Sequence, residues 1–113
     1  MLHVVTAIVK PHKLDDVIDA VTGVGVQGLT VTEARGFGRQ RGRTETYRGT
    51  EYRVDLLPKL RVEVLCPTED AEKVAEAIAA AGRTGKIGDG KVWITPVDRA
   101  IRVRTGERGT DAV

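Results

Sequence analysis

There is no serine in this sequence, and Cys66 is its only cysteine. An intramolecular disulfide is excluded and a reducing, cytosolic location fits. Cys66 reads as buried packing on a strand, so nucleophilic catalysis lacks an obvious attacking group. The two histidines, His3 and His12, have no cysteine or paired-histidine companion for a metal site; the first reads as a strand-end residue and the second as a loop residue. Aromatic residues make up only 4% of the chain and do not form the pattern of an RNA-binding sheet. A net charge of +2 gives no case for nucleic acid or an anionic membrane. No apolar run is long enough to span a bilayer. The start, MLHVVTAIVK, lacks a basic n-region and cleavage site, so no cleaved leader is expected. Internal repeats, linkers and low-complexity segments are also missing.

What is present suits one domain over residues 1–113, with 41% hydrophobic and 30% charged residues and enough chain for a modest core. Residues 2–9, LHVVTAIV, are apolar on both faces and read as a central strand ended by Pro11. Leu14, Val17, Ile18 and Val21 follow at helical spacing, with Asp15 and Asp16 in the first turn and Gly23 and Gly25 as the stop. Residues 28–36 read as a second strand. Leu60, Val62, Val64 and Cys66 alternate with Arg61, Glu63 and Leu65 as a third, broken by Pro67. Thr68 is the expected N-cap of a second helix, whose buried stripe is Val74, Ala77, Ile78 and Ala81 and which Gly82 ends. A glycine-rich turn over 82–91 leads into a fourth strand, VWITPV. The tail, 98–113, holds an alternating piece, Ile101-Arg102-Val103-Arg104, and then a polar, mobile end. The order β-α-β-β-α-β predicts an α+β, ferredoxin-like fold, with two helices on one face of a four-stranded antiparallel sheet. The other sheet face needs cover, and oligomerisation is one way to supply it.

Between the second and third strands lies a stretch without hydrophobic period, Gly36 to Leu57. It carries five arginines, Glu45, Glu51, Asp55, Tyr47 and Tyr52. Connections this long are usually functional or disordered. The expectation is a large, solvated, mobile loop over about 38–57, used for recognition or else a plain insertion.

Three basic, glycine-containing clusters suggest an anion site. In Gly88-Asp89-Gly90-Lys91, glycines let backbone N–H groups converge and the lysine adds a charge; the P-loop spacing is absent, and an ordinary hairpin turn is the alternative. Arg102 and Arg104 share a face if their segment is extended, and arginine suits polyphosphate; a solvated pair is the alternative. Arg39 follows Gly36-Phe37-Gly38. Together they favour phosphate.

Three motifs then carry a family resemblance: GFGRQRG at 36–42, TYRGTEYRVDLLPK at 46–59 and TGKIGDGKVWI at 84–94. They resemble the PII signal-transduction family from residue 1 to about 108. Thr50 departs from the family's modification signature, which has Ala or Ser there, but Tyr52 is in place. The resemblance implies a cytoplasmic homotrimer that senses nitrogen and energy state, with ATP and ADP competing for clefts between subunits. Thr30, Glu63 and Leu65 would lie near adenine. Gly36, Gly38, Arg39, Gln40, Gly88, Asp89, Gly90 and Lys91 would meet the phosphates, with Arg102 and Arg104 from the neighbouring chain. The resemblance further implies 2-oxoglutarate beside Mg-ATP, at Gln40, Arg41, Gly42, Lys59 and Gly88, with Gln40 helping to ligate Mg²⁺ and Lys59 pairing with a carboxylate. It implies nucleotidylylation of Tyr52 by a nucleotidylyltransferase, and a loop that engages an ammonium channel at the membrane and nitrogen-metabolism enzymes. Twelve arginines against six lysines suit a GC-rich genome, which favours adenylyl over uridylyl. A small nucleotide-hydrolysing enzyme is the alternative, without an evident general base; a nucleic-acid-binding module is a third, against which charge and aromatic content both stand.

Overall fold

The computed structural model describes residues 1–38 and 56–113 in full and, between them, the backbones of 44–47 and 50–53. Strand β1 (Leu2–Val9) leads through a 3-10 turn at Pro11–Lys13 into α1 (Leu14–Gly23). Next come β2 (Thr30–Gly36), the short strands β3 (Thr44–Tyr47) and β4 (Thr50–Arg53), and the long β5 (Leu57–Pro67). A second 3-10 turn, Thr68–Asp70, enters α2 (Ala71–Gly82), and β6 (Lys91–Val97) follows. Four strands form one antiparallel sheet in the order β2-β5-β1-β6. This is the expected four-stranded sheet with two helices.

Register explains the core. Val5 stands opposite Val64 and Ala7 opposite Val62, so their side chains share a face. All four are buried, as are Val9 and Cys66. Onto that face α1 brings Val17 and Val21, and α2 brings Ala71, Val74 and Ile78. The apolar stripes read from sequence are therefore the packed ones. On the opposite face, Thr6 lies between Glu63 and Trp93. The Arg61 guanidinium sits 5.8 Å from the Trp93 ring centroid, with its Nε 3.4 Å from Glu63 Oε1.

The ends of the elements follow local chemistry. Gly25, at φ +97°, closes α1 with Gly25 N–H donating to Thr22 O and Val26 N–H to Val21 O, both at 3.0 Å. This pair of bonds satisfies carbonyls that the helix end leaves open, and it needs a residue at ease with positive φ. Gly82 is buried at the end of α2, where a Cβ would come within 3.3 Å of Val9 Cγ1. Pro96 sits inside β6 without penalty because β6 is an edge strand.

Three expectations are corrected. Thr68 is not the side-chain cap of α2: it opens the 3-10 turn, and its Oγ1 lies 2.8 Å from His3 Nδ1. The stretch read as a structureless loop contains a ribbon, with Thr44 opposite Arg53 and Tyr47 opposite Thr50. Threonine and tyrosine favour strands, but the ribbon is a two-stranded sheet separate from the main one, and its sequence carries no hydrophobic period. The tail does not continue as an extended piece with a loose polar end. Only Ile101 pairs, with Arg108; Arg102 N–H donates to Glu107 O at 2.8 Å, and a 3-10 turn spans Gly109–Ala112. Gly106, at φ +75°, makes this reversal possible, a signal hidden inside an alternating pattern.

Ile78 is fully buried between α2 and the sheet. Ile78→Ala should destabilise the fold by about 2–5 kcal/mol, read as a lower urea midpoint with an unchanged slope.

Candidate nucleotide and effector site

Residues singled out in the sequence gather in two clefts. The first, about 640 Å³, lies where β2 ends and β5 begins. Gly36, Gly38, Lys59, Gly88, Asp89, Gly90 and Lys91 line it, so the glycine loop meets the glycines that precede Arg39 there. The second, about 590 Å³, lies at the far end of the same two strands. Thr30, Glu63, Leu65 and Arg102 line it, together with the 25–29 connection and the end of the tail. Thr30 and Gly36 are the two ends of β2, about 20 Å apart at the rise of a strand. Arg104 sits in the tail turn, is exposed and does not line the second cleft. The expectation that Arg102 and Arg104 share one face fails because the segment turns. Arg39, Gln40, Arg41 and Gly42 lie outside the described residues. Tyr52 falls on β4, opposite Glu45.

The glycine loop is built as a rigid body. Gly90 has φ +94°, and a Cβ there would fall 1.7 Å from Ile8 O. No side chain fits, so this glycine lets the loop press onto the end of β1. Asp89 turns its carboxylate inward and accepts from Thr84 N–H and Gly85 N–H, each at 2.8 Å, and from the Thr84 hydroxyl. Lys10 Nζ stands 3.3 Å from Asp89 Oδ1 and 3.2 Å from Thr84 Oγ1. The Thr84 hydroxyl bond, those two N–H groups and Lys10 outweigh partial burial and hold the Asp89 carboxyl well below the usual carboxylate range. Its oxygens are thus occupied by its own loop, and what the loop offers an anion is backbone and lysine.

Lys59 Nζ donates to Gly88 O at 2.7 Å, which joins two residues expected to serve one effector. Burial lowers the Lys59 pKa, Lys10 lowers it further, and Asp89 opposes both. Among the described residues, Lys59, Lys86 and Lys91 line this cleft with one acid, Asp89, which Lys10 also contacts. A site with that balance attracts anions, carboxylate or phosphate alike. Among the described residues, no group of three or more His, Cys, Asp or Glu could hold a metal ion, and no helix is long and apolar enough to cross a membrane.

Sequence reasoning missed Lys10 and Thr84, the two anchors of Asp89. The available signal was Lys10 just before Pro11, at a strand end where an antiparallel neighbour must also begin. It also missed Trp93 and Phe37, both partly exposed at the first cleft.

Comparison with known proteins decides the class. The family model for nitrogen regulatory protein P-II matches residues 2–107. This chain belongs to the nitrogen regulatory protein P-II family. The P-II protein of Rhizobium meliloti (strain 1021) is 59% identical over 109 residues, covering 96% of this chain and 97% of its own. That of Azospirillum brasilense is 55% identical over 109 residues with the same coverage. Among solved structures, Arabidopsis thaliana PII bound to citrate superposes with a TM-score of 0.81 at 36% identity, over 99% of this chain and 92% of the other. The relatives are named nitrogen regulatory proteins, and their names lend no support to the nucleotide-hydrolase alternative.

The lowered Asp89 pKa sets a pH dependence. A carboxyl held below its unfolded value contributes stability in full above that value, about 3.9, and loses it as pH falls through it toward the folded pKa. The loop should therefore loosen only below about pH 4. Asp89→Asn should flatten that acid limb of a melting-temperature profile; an unchanged limb would assign it to other carboxylates.

Proposed function

We propose that this chain is the subunit of a homotrimeric P-II signal protein whose nucleotide site lies between copies. The observation that carries this is the separation of the two clefts. Thr30, Glu63 and Leu65, expected at adenine, stand about 20 Å from Gly36, Gly38 and the glycine loop, expected at the phosphates, which supports a nucleotide shared between two chains. Gly36, Gly38 and Gly88–Lys91 of one copy would take the phosphates. Thr30, Glu63 and Leu65 of the next would lie near adenine, and its Arg102 and Arg104 would reach the phosphates. ATP and ADP would compete there.

2-Oxoglutarate would bind beside the phosphates, with Lys59 turning from the Gly88 carbonyl to a carboxylate. The citrate of the Arabidopsis PII structure is a carboxylate ligand too, which supports this class of effector. Gln40 and phosphate oxygens would hold Mg²⁺, a cation that prefers oxygen ligands and substrate phosphates. Bound Mg²⁺ would offset phosphate charge. With Arg41 and Gly42, Gln40 would couple the filled site to the ribbon of β3 and β4. The ribbon would then meet its partners: nitrogen-metabolism enzymes in the cytoplasm and an ammonium channel that recruits the protein to the membrane. A nucleotidylyltransferase would modify Tyr52.

Calorimetry with ATP, with and without Mg²⁺ and 2-oxoglutarate, tests the ligands. A charge-assisted hydrogen bond is worth roughly 1.5–3 kcal/mol, so Lys91→Ala should weaken ATP about 10- to 150-fold. Mixing tests the architecture. Lys91→Ala and Arg102→Ala should each bind poorly alone, but their co-refolded mixture should regain some clefts of full affinity, because each copy supplies what the other lacks. A mixture that behaves as the sum of its parts would place both groups in one chain.

The Tyr52 assignment has its own test. Intact mass spectrometry of protein from nitrogen-starved cells should show a nucleotide adduct that Tyr52→Phe abolishes. An adduct that fragmentation places on Tyr47 would overturn it; a uridylyl mass would overturn only the preference for adenylyl.

A further inference from the structure

Arg102 already has a counter-anion within its own chain. Its Nη1 lies 3.1 Å from Glu107 Oε1, and its Nε points to Ala112 O at 3.4 Å. The backbone keeps the two residues side by side: Arg102 N–H donates to Glu107 O at 2.8 Å, and Gly106 N–H to Arg102 O at 2.7 Å. The loop is also tied outside the pair, by the Ile101–Arg108 bridge and by Gly109 N–H donating to Ala100 O at 3.2 Å. Either side chain can therefore let go without unfolding the loop. The Glu107 side chain is 47% exposed and that of Arg102 33%. Glu107 can swing into water while Arg102 stays on the cleft wall.

We propose that Glu107 is a built-in competitor for the Arg102 guanidinium, occupying it until a polyphosphate group held in the first cleft of a neighbouring copy reaches it. The proposal rests on the nucleotide reading above and adds a residue that sets the affinity. A guanidinium has five N–H donors, and the two partners take one from Nη1 and the one on Nε. An incoming phosphate would need the paired N–H groups of the terminal fork, so it meets Glu107 at one tine. Both negative groups cannot hold Nη1 at once without repulsion. Glu63, the acidic side chain among the described residues that line the cleft, faces Arg61, and Glu107, just outside that lining, is the acid on Arg102. An exchange of partners follows: the empty cleft keeps Arg102 ordered against the tail, and a ligand of higher charge displaces a weak, solvent-exposed pair.

The test is a double-mutant cycle read by calorimetry with ATP and ADP, without Mg²⁺, on full-length oligomeric protein. Removing a pair this exposed should raise ATP affinity about two- to fivefold in both Glu107→Gln and Glu107→Ala. The gain should vanish when Arg102→Ala is added. Circular dichroism melts of each variant confirm folding, and Glu107→Gln, which keeps shape and hydrogen bonding, covers the case in which Glu107→Ala unfolds. Unchanged or weaker ATP binding in Glu107→Gln would overturn the competitor role and leave the nucleotide site standing. A gain that survives Arg102→Ala would reduce Glu107 to a general surface charge and overturn it as well. If neither wild-type protein nor any variant binds ATP or ADP, the nucleotide reading itself fails, and the competitor role falls with it.

Discussion

Gly90 lies so close to the carbonyl of Ile8 that not even a methyl group can stand between them. This approach seats the glycine loop on the end of the central strand, just where Lys91 begins to pair with Ile8. The rest of the first cleft depends on it. Once the backbone is seated, Asp89 can reach back to Thr84, Gly85 and Lys10, and the loop becomes a closed unit with its acid neutralised internally. Lys59 then meets the Gly88 carbonyl from the opposite side. A glycine-rich turn would otherwise lose much conformational freedom on binding; here the folded chain has already restricted it.

The two clefts differ in kind. The glycine-loop cleft is preorganised by the sheet core, since its walls continue β1, β2, β5 and β6. The other is half built from the tail, whose turn is held by backbone bonds around Arg102 and by exposed ion pairing. Exposed pairs are weak and exchangeable, so this side is the better placed to respond to what enters. In the composite site proposed between copies, a rigid phosphate cradle would join an adjustable wall. That division suits a sensor, which must discriminate among ligands of similar shape and different charge.

Much of the fold was legible because burial leaves a period. Val62, Val64 and Cys66 alternate on a strand and Val74 and Ile78 recur on a helix, and these positions are the core. The ribbon of β3 and β4 left no such mark, since it stands outside the main sheet. The tail misled for the opposite reason: Ile101 to Arg104 alternates like a strand, but Gly106 allows the chain to turn back on itself. Thr68 has the chemistry of a cap and spends its hydroxyl on His3, a partner 65 residues away that no local rule reveals.

By itself the sequence determined the element order, the apolar faces of sheet and helices, and the clustering of glycine with basic residues, because each is written in local spacing. The tertiary structure alone decided which clusters meet. Antiparallel pairing carries Gly36 and Lys59 to the glycine loop and leaves Thr30, Glu63 and Arg102 about 20 Å away. It also gave the Asp89 carboxylate its partners, Thr84 and Gly85 of its own loop. The physical reason is the same in both cases: a residue's partners are set by strand register and by the direction in which a loop packs, and neither has a signature within a few residues of chain.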